Sequence, residues 1–234
     1  LTLEKNEVAR RQWIADISHE LRTPIGILGG ETEALLDGVR QPDPAALHSL
    51  HAEILRLSRL VEDLYQLSMS DLGALSYRKR VLNLSQLIAE MIENYRGKFK
   101  QHSLSLTLNQ SDRMNSVVFG DPERLRQLFS NLFDNSLKYT DPGGELMVEL
   151  SNDRGDLRIN FQDTAPAVKE EELEKLFYRL YRIESSRNRE TGGAGLGLSI
   201  CRNIVEAHQG SIIARKSSLG GLSIQVVIPL SGSR

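Results

Sequence analysis

The chain has 234 residues, 40% of them hydrophobic and 26% charged, which leaves room for two modest domains and excludes neither a packed core nor an ordinary soluble surface. A net charge of -2 gives no electrostatic case for nucleic acid, because binding a polyanion needs a concentrated basic face. The single cysteine, Cys201, rules out an intramolecular disulfide or a cysteine zinc site and fits a reducing compartment, and no run approaches the roughly 20 apolar residues of a membrane span.

The opening LTLEKNEVARRQW, starting at Leu1 without an initiator Met, reads as a cut through a polar helix of a longer protein. From Val8 to about Leu36 the apolar residues Ile14, Ile17, Leu21, Ile25 and Leu28 recur every three or four positions, the stripe of a long helix. QPDPAA at 41–46 breaks it, and Asp43 followed by Pro44 is an N-cap with proline at the first position of a second helix. That helix carries Leu47, Leu50, Ile54, Leu57, Val61 and Leu64 at alternating spacings of three and four, a bundle seam. One hairpin cannot bury both stripes, whereas two copies form a four-helix bundle, so the expectation is a homodimer through a hairpin of residues 1–70.

Residues 71–83 lose the repeat and contain Gly73 and a short basic run, the signature of a linker. The second domain is expected over 84–234. Helices are predicted at Leu84–Phe99 and from Asp121-Pro122 to Tyr139. Strands are predicted around Leu104–Leu108, Leu146–Leu150, Leu157–Phe161, Ser211–Arg215 and Leu222–Ile228. Tight turns such as DPGGE and NDRGD between consecutive strands make the sheet mostly antiparallel, with helices on one face, an α/β layering.

Three constellations carry chemistry. In Ser18-His19-Glu20-Leu21-Arg22-Thr23-Pro24, His19 is rotated off the apolar stripe, and a solvated imidazole is largely the neutral nucleophile near pH 7. Glu20 beside it can accept the proton of one ring nitrogen, a base-assisted nucleophile. Pro24 removes a helical hydrogen bond just past the histidine and is expected to bend the helix there. A surface histidine beside a glutamate is, taken alone, unremarkable, and His48, His51, His102 and His208 lack even that neighbourhood.

In Asn131-Leu132-Phe133-Asp134-Asn135-Ser136-Leu137-Lys138-Tyr139-Thr140, the residues Asn131, Asn135 and Lys138 share one helical face. Two amide oxygens and an ammonium suit a triphosphate with its magnesium, although a solvated polar face has the same pattern. The run Gly192-Gly193-Ala194-Gly195-Leu196-Gly197-Leu198 precedes an amphipathic helix ending at Gly210, and such glycines let backbone N–H groups approach phosphates. It is neither a Walker loop, lacking GK[ST], nor a dinucleotide fingerprint, since the polar IESSRNRET before it is no strand.

Taken in order, HELRTP on a helical hairpin, NLFDNSLKYT, Asp163 after a strand, Phe177 and Tyr181 in LFYRLYR, and GAGLGL resemble the sensor histidine kinase family over essentially the whole chain. The stretches LYQLSMSDLGALSY and NIVEAHQGSIIA resemble its BaeS-type envelope-stress branch. The resemblance implies a dimerisation and phosphotransfer hairpin joined to a GHKL-type ATP-binding sandwich, the kind shared with Hsp90, gyrase and MutL, in the cytoplasmic portion of an inner-membrane protein. It makes His19 the phosphoacceptor, Glu20 its general base, and Thr23 the residue that positions water when the domain dephosphorylates its partner, a response regulator. It assigns Asn131 and Asn135 to magnesium, Lys138 to the phosphates of ATP, Tyr139 to the base or ribose edge, Asp163 to the adenine amino group, and Gly193, Gly195 and Gly197 to the loop over the phosphates. The family usually has glycines two and four residues after that aspartate, where this chain has Ala165 and Ala167. Two other readings share part of the pattern: an ATP-driven clamp of the Hsp90 or MutL class, which has no use for HELRTP, and a non-catalytic dimer scaffold.

Overall fold

The computed structural model describes residues 2–111, 114–164, 166–183 and 194–232, with side chains from Trp13 onward. The chain divides into two compact units, Leu1–Met69 and Ser70–Arg234.

The first unit is a pair of helices, α1 (Thr2–Leu36) and α2 (Pro44–Asp71), whose last two residues fall in the second unit. The cap between them forms as its sequence predicts: Asp43 Oδ1 accepts from the Ala46 N–H at 2.7 Å, with Pro44 at the first position. Ala46, Leu60 and Leu67 are buried, and Leu50, Leu57 and Leu64 are half-buried. Leu47, Ile54 and Val61, seven residues apart, remain 56%, 50% and 53% exposed. The α2 seam is therefore two rows, one facing inward and one left open. On α1, Ile17, Leu21 and Leu28 are half-buried whereas Ile14 and Ile25 stay exposed. No helix among the described residues is long and apolar enough to cross a membrane.

The second unit holds β1 (Arg80–Asn83), α3 (Leu84–Gln101), β2 (Ser105–Asn109), β3 (Val117–Gly120), α4 (Pro122–Tyr139), β4 (Glu145–Asp153), β5 (Asp156–Asp163), α5 (Glu170–Leu173) with a 3-10 turn at Glu174–Phe177, α6 (Gly197–Ala207), β6 (Ser211–Lys216) and β7 (Leu222–Pro229). The main sheet runs β2-β4-β5-β7-β6, parallel only between β2 and β4, so it is mixed and mostly antiparallel. The short strands β1 and β3, which the hydrophobic pattern does not announce, pair with each other. Thus part of the stretch 71–83 is sheet.

Strand alternation sets the core. β7 buries Leu222, Ile224, Val226 and Ile228, and β5 buries Leu157, Ile159 and Phe161. Helix α4 turns Leu125, Leu128, Phe129, Leu132 and Phe133 inward. Phe129 stacks on Phe161 with ring centroids 6.0 Å apart, and Phe133 meets the same ring edge-on at 5.1 Å, contacts that add to the burial energy. The helix is thereby seated on the strand that ends in Asp163.

Helix α6 ends at Ala207 rather than at Gly210. Gln209 takes the left-handed turn at φ +59, while Gly210 is required for a different reason: a Cβ there would lie 2.1 Å from the Val227 carbonyl oxygen of β7.

Candidate functional site

His19 lies on α1 with its side chain exposed, and Glu20 beside it is half-buried. The helix runs through Pro24 unbroken, with the proline ring buried. Proline has no N–H, so the Glu20 carbonyl four residues earlier loses its helical donor. The Thr23 hydroxyl donates to the His19 carbonyl at 3.4 Å, a back-bond of the kind that loosens a helix. The carbonyls of both residues that carry the proposed chemistry are therefore altered in the backbone ladder, His19 by a back-bond and Glu20 by a missing donor.

The nucleotide candidates gather in the second unit around α4. Its N-terminus is fixed by Asp121, whose Oδ1 accepts from the Glu123 and Arg124 N–H groups and whose Oδ2 accepts from the Arg78 N–H. Burial alone raises this carboxyl's pKa, but those backbone donors prevail and hold it below the ordinary range. Asp121 N–H in turn donates to Nε2 of the buried His208 at 2.9 Å, while His208 Nδ1 lies 2.7 Å from the Ile204 carbonyl. This places the proton on Nδ1 and leaves the ring neutral; burial, foremost, holds its pKa below the ordinary value. His208, whose sequence context offers no catalytic neighbourhood, is the pin between the start of α4 and the end of α6.

One turn pattern along α4 serves two neighbours. Asn131 gives its amide nitrogen to the Gly197 carbonyl at 3.2 Å, which brings the asparagine helix against the first residue of α6. Asn135, half-buried, follows one turn later. Lys138 places its ammonium 4.7 Å from the Tyr139 ring centroid in the last turn. Asp163 is 4% exposed, because the alternation that buries Leu157, Ile159 and Phe161 carries it onto the same face. Its Oδ1 accepts from the Leu222 N–H at 2.7 Å, and its Oδ2 accepts from the Ser136 hydroxyl at 3.4 Å.

Glycine 195 is needed twice over. Its φ is +73, and a Cβ would approach the Leu180 and Tyr181 backbone at 2.9 Å. The Leu180 N–H donates to the Gly195 carbonyl at 3.0 Å, which ties the LFYRLYR segment to the glycine loop. Gly197 has no such steric need, since a Cβ would meet only Asn131 at 3.8 Å. Phe177 is buried with the Arg202 guanidinium 4.7 Å from its ring centroid, and Tyr181 OH lies 3.4 Å from Glu172. Gly193 and Ala165 lie outside the described residues; Ala167 is exposed.

Among the described residues no group of three or more histidine, cysteine or acidic side chains could hold a metal, so a cation here would rest on amide oxygens and phosphates. The Asn131 contact fits that requirement: with the amide nitrogen given to Gly197, its oxygen is the atom left to act as a ligand. Sequence patterning missed Ser136 and the Leu222 N–H as partners of Asp163. A serine on the otherwise apolar buried face of α4 was the available signal.

The histidine kinase A phosphoacceptor family matches residues 9–73, and the histidine kinase-, DNA gyrase B- and HSP90-like ATPase family matches residues 120–232. The chain is 52% identical over 229 residues to the signal transduction histidine-protein kinase BaeS of Escherichia coli strain K12, covering 98% of this chain and 49% of that protein. It is 36% identical over 234 residues to the sensor protein SrrB of Staphylococcus aureus strain NCTC 8325, covering 98% of this chain and 40% of that protein. The chain thus spans about half the length, or less, of these curated relatives. The solved structure of the histidine kinase AdeS of Acinetobacter baumannii superposes with a TM-score of 0.76 at 25% identity, over 92% of this chain and 98% of that one. With a phosphoacceptor domain and a kinase-type ATPase domain in succession, the chain belongs to the sensor histidine kinases, as a catalytic region of the BaeS type.

Proposed function

We propose that this region binds ATP with magnesium, phosphorylates His19 within a homodimer, and passes the phosphoryl group to an aspartate of a response regulator. The observation that carries the nucleotide reading is the convergence on α4 of Asn131 with the first residue of α6 and of Ser136 with the buried Asp163. One helix thereby touches both the glycine loop and the carboxylate, the two ends a nucleotide needs.

In this reading Asp163 accepts the adenine amino hydrogen, Tyr139 lies along the base or ribose edge, and Lys138 meets the phosphates. Gly193, Gly195 and Gly197 shape the loop above them. Asn131 and Asn135 hold magnesium, which when bound offsets phosphate charge. A neutral ring nitrogen of His19 forms the new N–P bond as the bond from the γ-phosphorus to the ADP oxygen breaks, and Glu20 takes the proton from the other ring nitrogen. Thr23, already hydrogen-bonded at the His19 carbonyl, positions water for dephosphorylation of the regulator. The exposed row Leu47, Ile54 and Val61 supports a second copy of the hairpin as its cover. The region is read as the cytoplasmic portion of an inner-membrane protein.

Incubation with γ-labelled ATP and magnesium tests the reading. Acid-labile, base-stable label on the protein is the expected result. Hydrolysis without labelling would favour an ATP-driven clamp, and nucleotide binding with neither would favour a dimer scaffold.

A further inference from the structure

Among the six buried residues of α4, five are apolar and the sixth is Ser136. A hydroxyl turned into a core is unfavourable unless it is hydrogen-bonded, and a helical serine ordinarily satisfies itself on the carbonyl one turn back. Ser136 Oγ instead reaches across to Asp163 Oδ2 at 3.4 Å, with both residues under 5% exposed. The other carboxylate oxygen is held more tightly, by the Leu222 N–H at 2.7 Å.

That N–H is itself placed by a built turn. The Gly221 N–H donates to the Asp163 carbonyl at 3.2 Å, the Ser217 N–H to the Gly221 carbonyl at 2.9 Å, and the Gly220 N–H to the Ser217 carbonyl at 3.1 Å, with Gly220 at φ +99. So Asp163 is gripped from two sides, by a rigid turn leading into β7 and by one adjustable hydroxyl on α4.

We propose that Ser136 is a positioning residue for base specificity, its hydroxyl setting the rotation of the Asp163 carboxylate so that it accepts the exocyclic amino hydrogen of adenine. The proposal rests on the adenine reading of Asp163 given above. Ser136 directly follows Asn135, so successive residues of one helix serve the phosphate end and the base end of the same ligand. The carboxylate is held at one oxygen by backbone that no side-chain substitution removes, and Ser136 acts on the other oxygen.

Calorimetric titration of the parent chain and of Ser136→Ala with magnesium and two nucleotides tests this: ATP, and purine riboside triphosphate, in which hydrogen replaces the 6-amino group. The parent should bind ATP more tightly than the analogue. Ser136→Ala should lose roughly tenfold in ATP affinity, the size of a lost hydrogen bond to a charged group, while binding the analogue as the parent does. Ser136→Cys, similar in shape and a weak donor, should fall between the two and serves if the alanine variant does not fold. An unchanged ratio of ATP to analogue affinity, even with both affinities reduced, would show a packing role only and overturn the proposal. A parent chain that fails to distinguish the two nucleotides would instead overturn the adenine reading of Asp163 and the proposal with it.

Discussion

The two units solve the problem of burial differently. In the second, Leu125, Phe129, Phe133, Val148, Ile159 and Val226 are all fully buried, and helices and strands from one chain close a core. In the hairpin, Leu47, Ile54 and Val61 form a regular row that stays about half exposed. A helix pair has too few apolar faces opposed to one another to cover both sides of α2. The difference teaches that the nucleotide unit closes its core within one chain, whereas the phosphoacceptor unit leaves a row of apolar side chains open, the row that the proposed dimer would cover.

The largest expected effect breaks the hairpin side of this contrast. Ile54→Asp combined with Val61→Asp would bury charges without partners in the interface with a second copy, a cost of several kcal/mol per site. Sedimentation should show monomers, while the melting of the second unit stays where it was. An unchanged dimer would move the interface elsewhere. The converse change is Phe133→Ala, which removes the ring that meets Tyr95 and Phe161. It should destabilise the second unit by about 3–5 kcal/mol and leave the sedimentation of the remaining folded protein unaltered.

A smaller effect comes from His208→Ala, which leaves the buried Asp121 N–H without its acceptor and should cost about 2–3 kcal/mol in the second unit. Its pH dependence has a definite sign. Because the folded pKa lies below the ordinary histidine value of 6.5, the folded state binds fewer protons there. The stability that follows is fully present above pH 6.5 and is lost as pH falls through the folded value. Burial sets this direction, the nearby Lys79 ammonium adds to it, and the Ile204 carbonyl and the Asp121 carboxylate oppose it. Thermal melts from pH 8 to pH 5 should show a decline in the parent that His208→Ala lacks.

The smallest effect sharpens the hairpin side. Asp63, half-buried on α2, has its carboxyl raised to about 6 by burial, then by Glu62, against Arg59. A raised carboxyl contributes stability below the unfolded value of 3.8 that disappears as pH rises through about 6. Asp63→Asn should therefore stabilise the hairpin at pH 7, by under about 1 kcal/mol once solvent screening is allowed for, a gain that thermal melts should show vanishing near pH 4.

Much of this architecture was legible in residue patterns. The 3-4 spacing on α2, the Asp43-Pro44 start and the alternation through Leu157, Ile159 and Phe161 are local signals with one structural meaning each. Asp163 continues that alternation by two residues, so its inward placement could have been read from the strand alone. The pairing of β1 with β3 could not, because four-residue strands carry too little periodicity. The partners of Asp163 were also hidden, since Ser136 and Leu222 lie 27 and 59 positions away and only the fold brings them together. The structural role of His208 was hidden for the same reason: its donor, Asp121, is 87 positions away.

The proposed acceptor and nucleotide site lie on different units, so the most direct measurement maps the phosphoryl group after incubation with ATP and magnesium. Mass spectrometry under alkaline conditions should find a single phosphorylated residue, His19, in the parent chain. The modification should be absent from His19→Gln, which keeps the nucleotide unit intact, and from Asn135→Ala, which keeps the histidine. Phosphate on His48, His51, His102 or His208, or labelling that survives in His19→Gln, would contradict it.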